Sequence, residues 1–349
     1  QAYLILGKSS GWSMDTDLSN ANASFIGENK DDRAGFCVAG AGDVDSDGYD
    51  DFIIGAPSFG GGLGKTYLIY GRASGWSMDN DLSTIKSSFK GQGGQSGTAI
   101  GGVGDFNGDG YDDFAIGAHD HGQGGTTYII FGNTSRYSDT TDLANVNASF
   151  RGERSGDHSG QAICQAGDLD RDGFDDFLIG AYGYDHKHDS GAGKVYIVFG
   201  NSTGWQKRFP LANVTSSFVG ENDLYNAGIA VGGGGDVNKD GYPDIIIGAY
   251  GASDTGNGAG KAYLVQGRLS GWSNNVVLSN ADEAYVAEDA TDYAGNDVAI
   301  VGDVNGDGYD DILIGAYYDE DGGAAAGQTY LIFGKDTRPR FETDASRED

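Results

Sequence analysis

Cysteine is nearly missing from this chain. Cys37 and Cys164 are the only two, so no disulfide framework can compensate for a small core. Both fall in apolar strand sequence, where two buried thiols are expected rather than a bridge. Positive charge is also scarce: 22 Lys and Arg face 52 Asp and Glu, a formal charge of −30. That excess repels nucleic acid and acidic lipid surfaces and makes an anionic polymer a poor substrate. No run is apolar or long enough to cross a bilayer, which argues against membrane insertion. There is neither a signal peptide nor an initiating Met, so the chain is expected to be processed or cut from something longer. Proline is rare too, with 4 residues against 62 Gly, 20 Tyr and 16 Phe. Such a composition suits many short strands joined by tight turns.

What fills the chain is a unit repeated five times. An Asp-rich loop begins at Asp43, Asp105, Asp168, Asp236 and Asp303, a period of 62 to 68 residues and the length of a propeller blade. Each unit reads as four strands, A to D from the axis outward. Strand A is small and apolar (36–41, 98–103, 161–166, 229–234, 296–301), and the Asp-rich loop follows it. Strands B (52–56, 114–118, 177–181, 245–249, 312–316) and C (67–71, 128–132, 196–200, 263–267, 330–334) are continuous apolar runs, as expected of strands covered on both faces. Strand D is centred on Phe25, Phe89, Phe150, Phe218 and Tyr285. The fold expected is an all-β propeller of four-stranded blades over 1–334, one domain of five repeats, followed by a polar tail at 335–349. Strand 3–7 is an extra C-type copy that competes with 330–334 for one position if the strand at Phe25 closes the last sheet. The alternatives are an open edge, or docking of the spare strand on another copy.

The loops carry the chemistry. Loop one places Asp43, Asp45 and Asp47 at positions 1, 3 and 5, Gly48 at 6, Tyr49 at 7 and Asp51 at 9. Alternate side chains of a tight turn converge on one cation, and position 7 offers its carbonyl. Loop two supplies Asp105, Asn107, Asp109, Tyr111 and Asp113. Loop three supplies Asp168, Asp170, Asp172, Phe174 and Asp176. Loop four supplies Asp236, Asn238, Asp240, Tyr242 and Asp244, and loop five Asp303, Asn305, Asp307, Tyr309 and Asp311. An all-oxygen shell with several carboxylates suits calcium, one ion per loop and five in all, whereas magnesium keeps more of its water. A plain acidic β-turn explains one such loop but not five in register. An EF-hand is excluded, because its bidentate Glu at position 12 would fall where strand B has begun. Position 8 is Asp four times and Pro243 once, which marks it as dispensable for coordination.

These loops, with the Gly-Ala that closes each strand B (Gly55-Ala56-Pro57 in the first), resemble the FG-GAP repeat of integrin α-subunit propellers and prokaryotic surface proteins. The Phe-Gly half is replaced by Ala34-Gly35, Ser96-Gly97, Ser159-Gly160, Ala227-Gly228 and Ala294-Gly295. The resemblance implies a seven-bladed relative and a calcium-stabilised adhesion or recognition scaffold, extracellular or on the cell surface, with no catalysis.

Because strand direction alternates, the calcium loops share one face with the C to D connections, and the B to C and D to A loops form the other. Ligand recognition, of a protein or a glycan, is expected on that second face. All five histidines map there: His119, His121, His158, His186 and His188, with Asp120, Asp185 and Asp189 nearby, a transition-metal or pH-sensitive patch set against ordinary solvated loop histidines. Trp12, Trp76, Trp205 and Trp272 follow strand C at a repeated position, where packing is favoured over sugar stacking. Asn22, Asn133, Asn147, Asn201 and Asn213 begin glycosylation sequons. Adhesion or surface assembly leads as the function, ahead of a lectin-like binder and of a polysaccharide-processing enzyme, for which no nucleophile and base stand out.

Overall fold

The computed structural model describes residues 1–11, 15–187 and 190–337. Trp12, His188, Asp189 and the tail from 338 lie outside the described residues.

Each Asp-rich loop joins two antiparallel strands. Cys37–Gly42 pairs with Asp51–Ala56, which pairs with Lys65–Ile69, which pairs with Ser88–Lys90. The same A, B, C, D order recurs in the sheets built on Ile100–Gly104, Ala162–Gly167 and Val231–Gly235. Strand A of each sheet lies beside strand A of the next, which makes the sheets the blades of a propeller. The last sheet contains Ala294–Ile300, Ile312–Ala316 and Gln328–Ile332.

Strand C belongs with the strand D that follows it, and this resolves the surplus strand. Ala2–Leu4 does not compete with Gln328–Ile332. It pairs with Ala23–Ile26 as the C and D strands of a blade that precedes the first loop. The described residues thus form a C–D pair, four complete blades and a final A–B–C sheet. Strand C also starts two residues earlier than the sequence suggests, at Lys65, Thr126, Lys194, Lys261 and Gln328.

Blades are interlocked at their outer edges. In four of the C to D connections a short strand runs parallel to strand D of the preceding blade: Asn80–Asp81 on Ala23–Ile26, Thr140–Asp142 on Ser88–Lys90, Phe209–Pro210 on Ala148–Arg151 and Val276–Val277 on Ser216–Val219. An edge that would otherwise offer bare N–H and C=O groups is thereby paired. A 3-10 turn follows each of these strands, and Leu82, Leu143, Leu211 and Leu278 within those turns are buried.

The core lies between sheets. Along strand B, Ile54 packs toward the preceding C–D pair with Phe25 and Tyr67, while its neighbour Ile53 packs toward the second blade with Phe89 and Phe114. Alternation by two thus feeds both faces with apolar residues, which is why the sequence shows a continuous run. Trp76, Trp205 and Trp272 donate their indole N–H to the carbonyls of Arg72, Asn201 and Arg268, and their rings rest on Phe52, on Phe106 and Phe150, and on Phe199 and Phe218. Their role is packing. The two cysteines are free and only half-buried, not the buried thiols expected. Strand A is the innermost strand, and Cys164 lines the axial groove beside Gln165, Ala41 and Gly102.

Candidate metal centres and the opposite loop face

Every loop is organised by its own backbone. In loop one, Asp43 accepts from the N–H groups of Asp47 (3.0 Å) and Gly48 (2.8 Å), Asp45 accepts from Asp47 (3.2 Å), and Asp47 accepts from Tyr49 (3.0 Å). The pattern returns with Asp105, Asn107 and Asp109; with Asp168, Asp170 and Asp172; with Asp236, Asn238 and Asp240; and with Asp303, Asn305 and Asp307. Gly48 has φ +90°, as do its equivalents to within a few degrees, so position 6 needs glycine for the reversal.

Position 9 is the buried member. Asp51, Asp113, Asp176, Asp244 and Asp311 are at most 2% exposed. One carboxylate oxygen of each accepts from the glycine N–H that ends strand C: Gly71, Gly132, Gly200, Gly267 and Gly334. In four of the five the other oxygen accepts from the N–H at position 2. In the second loop Asp113 Oδ2 is buried with no hydrogen-bond partner among the described residues.

These carboxyls are held in an environment that disfavours their charge. Burial, reinforced by neighbouring aspartates, pushes Asp51 up to about 6, Asp113 and Asp176 to about 8 and Asp244 to about 7. In loops one and three, oxygens of Asp43, Asp45 and Asp51, and of Asp168, Asp170 and Asp176, lie within 4.8 Å of one another. Like charges gathered this closely fit a multivalent cation, and the donors are all hard oxygens. At position 7 the backbone N–H groups of Tyr49, Tyr111, Phe174, Tyr242 and Tyr309 donate to the position 5 carboxylates. In loop one a guanidinium already approaches: Arg136, from the C to D connection of the next blade, contacts Asp45 and Asp47.

On the opposite face, two positions recur at each junction between blades. The first is the residue after Gly-Ala: Pro57, His119, Tyr182, Tyr250 and Tyr317. The second sits in the D to A loop with φ between 54° and 57°: Arg33, Gln95, His158, Asn226 and Tyr293. The two meet across the junction. Tyr250 and Tyr293 have ring centroids 5.9 Å apart, His119 and His158 5.8 Å, and Asn226 donates to the carbonyl of Tyr182. Tyr293 also stacks on Tyr317 at 5.6 Å, with Tyr318 edge-on, and His158 stacks on Tyr182 at 5.0 Å. An arc of aromatic rings therefore runs over the third, fourth and fifth blades. The histidines divide. His119, Asp120 and His158 come together, whereas the ring of His121 turns to Thr126 and Tyr128 and His186 is not part of the cluster.

The FG-GAP repeat model matches residues 38–69, 96–130, 159–198, 227–265 and 294–332, together more than half of the chain. The chain belongs to the FG-GAP repeat family. It is similar to integrin alpha-V of Gallus gallus, 33% identical over 239 residues, which covers 66% of this chain and 21% of that protein. It is also similar to integrin alpha pat-2 of Caenorhabditis briggsae (31% over 235 residues, 63% of this chain and 18% of that protein). Human integrin alpha-IIb is 40% identical over 95 residues, 27% of this chain and 8% of that protein. The chain thus spans about a fifth of the length of the curated relatives it matches most extensively. Repeats of this family bind divalent cations, and none of the described helices is long and apolar enough to cross a membrane.

Two features of these FG-GAP blades escape a motif search because they join different repeats. Position 8 is one. Asp112, Asp175 and Asp310 each accept the N–H of the position 1 aspartate in the preceding loop (Asp43, 2.8 Å; Asp105, 3.0 Å; Asp236, 2.8 Å). The side chain that the sequence marked as dispensable for coordination ties blade to blade. It presses so close that a Cβ on Gly42 would sit 2.1 Å from Asp112 Oδ2. The second is a buried clasp on the other face. Lys65, Lys194 and Lys261 open strand C and pair with Glu28, Glu153 and Glu221 from the D to A loop of the neighbouring blade at 2.5, 2.7 and 2.8 Å. Tyr67 and Tyr196 donate to the same carboxylates. The repeats carry a partial signal: where Lys is replaced by Thr126 the Glu is replaced by Gln92, although the fifth repeat has Gln328 and keeps Glu288.

Proposed function

We propose that this chain is the calcium-stabilised propeller of an extracellular or cell-surface adhesion protein, and that it recognises a protein partner through the B to C and D to A loops. The five loops hold one calcium ion each through positions 1, 3, 5 and 9 and the carbonyl at position 7. Bound calcium would supply the positive charge that the buried position 9 carboxylates need. The chain's own part is to orient those oxygens with backbone N–H groups and keep strand A, strand B and the end of strand C in register.

The observation that carries the recognition half is the aromatic arc of Tyr182, Tyr250, Tyr293, Tyr317 and Tyr318. Tyr317 and Tyr318 are 51% and 44% exposed. Tyrosine offers large contact area with little side-chain entropy to lose, and here neighbouring rings preorganise one another. No catalysis is proposed: the residues common to the repeats serve the metal loops and the packing. A glycan ligand has less support, because the tryptophans are engaged with Phe rings and carbonyls. Self-assembly by strand addition at Gln328–Ile332, paired on one side among the described residues, requires concentration-dependent mass in solution.

The test is adhesion of beads carrying the chain to a panel of purified extracellular-matrix proteins in calcium. Binding to at least one protein is expected, lost with Tyr250→Ala, Tyr293→Ala and Tyr317→Ala combined while the calcium-dependent melting temperature is kept. Binding undiminished in that variant, or retention only on a glycan array, overturns the reading.

A further inference from the structure

The cluster between the second and third blades differs in kind from the calcium loops. Its three members come from two segments: His119 and Asp120 follow strand Asp113–Ala118, and His158 lies in the D to A loop that enters the third blade. One carboxylate spans both rings, with His158 Nδ1 at 2.9 Å from Asp120 Oδ1 and His119 Nε2 at 3.3 Å from Asp120 Oδ2. One donor atom from each residue lies within 4.8 Å of the others.

We propose that His119, Asp120 and His158 form a transition-metal site, selective for zinc-like ions over calcium, on the face opposite the Asp-rich loops. Two imidazoles and a carboxylate are the donor set of many zinc centres, and borderline nitrogen ligands discriminate against calcium. Tetrahedral zinc with bonds of about 2.1 Å brings its donors to roughly 3.4 Å from one another. The contact of His119 with one Asp120 oxygen, at 3.3 Å, is already near that separation, and that of His158 with the other oxygen, at 2.9 Å, is shorter.

The surroundings hold these side chains in place. His158 adopts φ 55°, and its ring lies flat against Tyr182, with 6° between the planes. Gln95 Nε2 donates to Asp120 Oδ2 at 3.2 Å. The backbone of Asp120 donates to the carbonyl of Gly94, and the two loops meet so tightly that a Cβ on Gly94 would sit 2.1 Å from His121 N. Supports of this kind orient metal ligands and raise affinity. The equivalent pairs at other junctions are Pro57 with Gln95, Tyr182 with Asn226 and Tyr250 with Tyr293, none of which offers two nitrogen ligands. The site therefore belongs to one junction rather than to the repeat. His119 is 12% exposed, whereas Asp120 and His158 are 40% and 33% exposed, so one side of the cluster opens to solvent and leaves room for water or an external ligand.

The test titrates ZnCl2 into the whole chain in millimolar calcium, which keeps the Asp-rich loops filled, and follows heat by calorimetry and imidazole nitrogens by long-range ¹⁵N NMR. One zinc equivalent is expected, shifting the resonances of His119 and His158 and leaving His121 unmoved. His119→Ala and His158→Ala should each weaken that binding at least 100-fold, with His121→Ala at parental affinity. No zinc uptake up to 1 mM, parental affinity in both variants, or shifts confined to other histidines would overturn the proposal. The NMR reading uses the unsubstituted chain and stands even if a variant fails to fold.

Discussion

Replacing Asp113 with Asn separates the metal reading from a purely structural one, because it acts with opposite sign on two measurable quantities. Asp113 Oδ1 accepts from Gly132 N–H at 2.8 Å, a bond the amide oxygen of Asn can keep, and Oδ2 is buried with no hydrogen-bond partner among the described residues, the nearby Asn107 N–H being a minor influence on the carboxyl. Burial, the largest effect, together with Asp109 and Asp105 pushes the Asp113 carboxyl up to about 8. Without metal at pH 7.5 the folded chain therefore holds a proton that the unfolded chain, near 3.8, has released. That difference has a ceiling of about 5 kcal/mol at about 1.4 kcal/mol per pH unit, and relaxation of the loop brings the expected value to about 2 kcal/mol. Asn removes this cost, so Asp113→Asn should melt higher than the parent in excess chelator. With calcium the parent gains about 2.7 kcal/mol per site at an ion concentration 100 times Kd. The variant loses one such increment, and its stoichiometry falls from five ions to four. Scanning calorimetry in chelator and in calcium, with calcium counted by equilibrium dialysis, measures both. A variant that melts lower than the parent in chelator and still binds five ions would refute the reasoning.

The clasp predicts non-additivity. Lys194→Thr leaves Glu153 without its charge partner, with only the Tyr196 hydroxyl still donating to it, and should cost about 3 kcal/mol, whereas adding Glu153→Gln, which copies the natural Thr126 and Gln92 junction, should restore more than half of it in denaturant unfolding. In chelator, the raised carboxyls Asp51, Asp113, Asp176 and Asp244 contribute stability that is fully present below about pH 4 and lost as pH rises through 6 to 8. The calcium-free melting temperature should thus fall from pH 5 to pH 9 while the gap to the calcium-loaded protein widens; a gap that narrows with pH contradicts this. Arg136→Ala removes a guanidinium from Asp45 and Asp47, so loop one should bind calcium several-fold more tightly in site-resolved titration.

Much of the molecule can be read from the repeat alone, and the reason is local. The Asp loop, its glycine and the flanking apolar runs lie within twenty residues of each other, so spacing predicts the A–B hairpin and the converging oxygens. The failures are contacts that join one repeat to the next. Position 8 looked idle because its partner is the N–H of a loop some seventy residues away, as with Asp112 and Asp43. The short parallel strands share no hydrophobic pattern, Asn80–Asp81 being polar and Val276–Val277 apolar, and what they have in common is the bare edge of a D strand to pair with. Strand 3–7 seemed surplus because the repeat was counted from its first Asp loop; a C strand takes its partner from the D strand downstream, so Ala2–Leu4 already had one in Ala23–Ile26.

The same asymmetry underlies the division of function between the faces proposed above. An A to B loop is closed by atoms of its own repeat, joined in loops one, two and four by one aspartate from the next, so the five keep nearly the same residues and the same geometry. A junction on the other face is built from one residue after Gly-Ala and one at positive φ, and neither is tied to the loop hydrogen bonds. Those two positions carry different side chains from junction to junction, and where both are rings the centroids sit at similar separations, 5.8 Å for His119 and His158 and 5.9 Å for Tyr250 and Tyr293. A fixed spacing with free chemistry lets neighbouring junctions take up different tasks: metal-binding nitrogens at one, an aromatic surface at the next two.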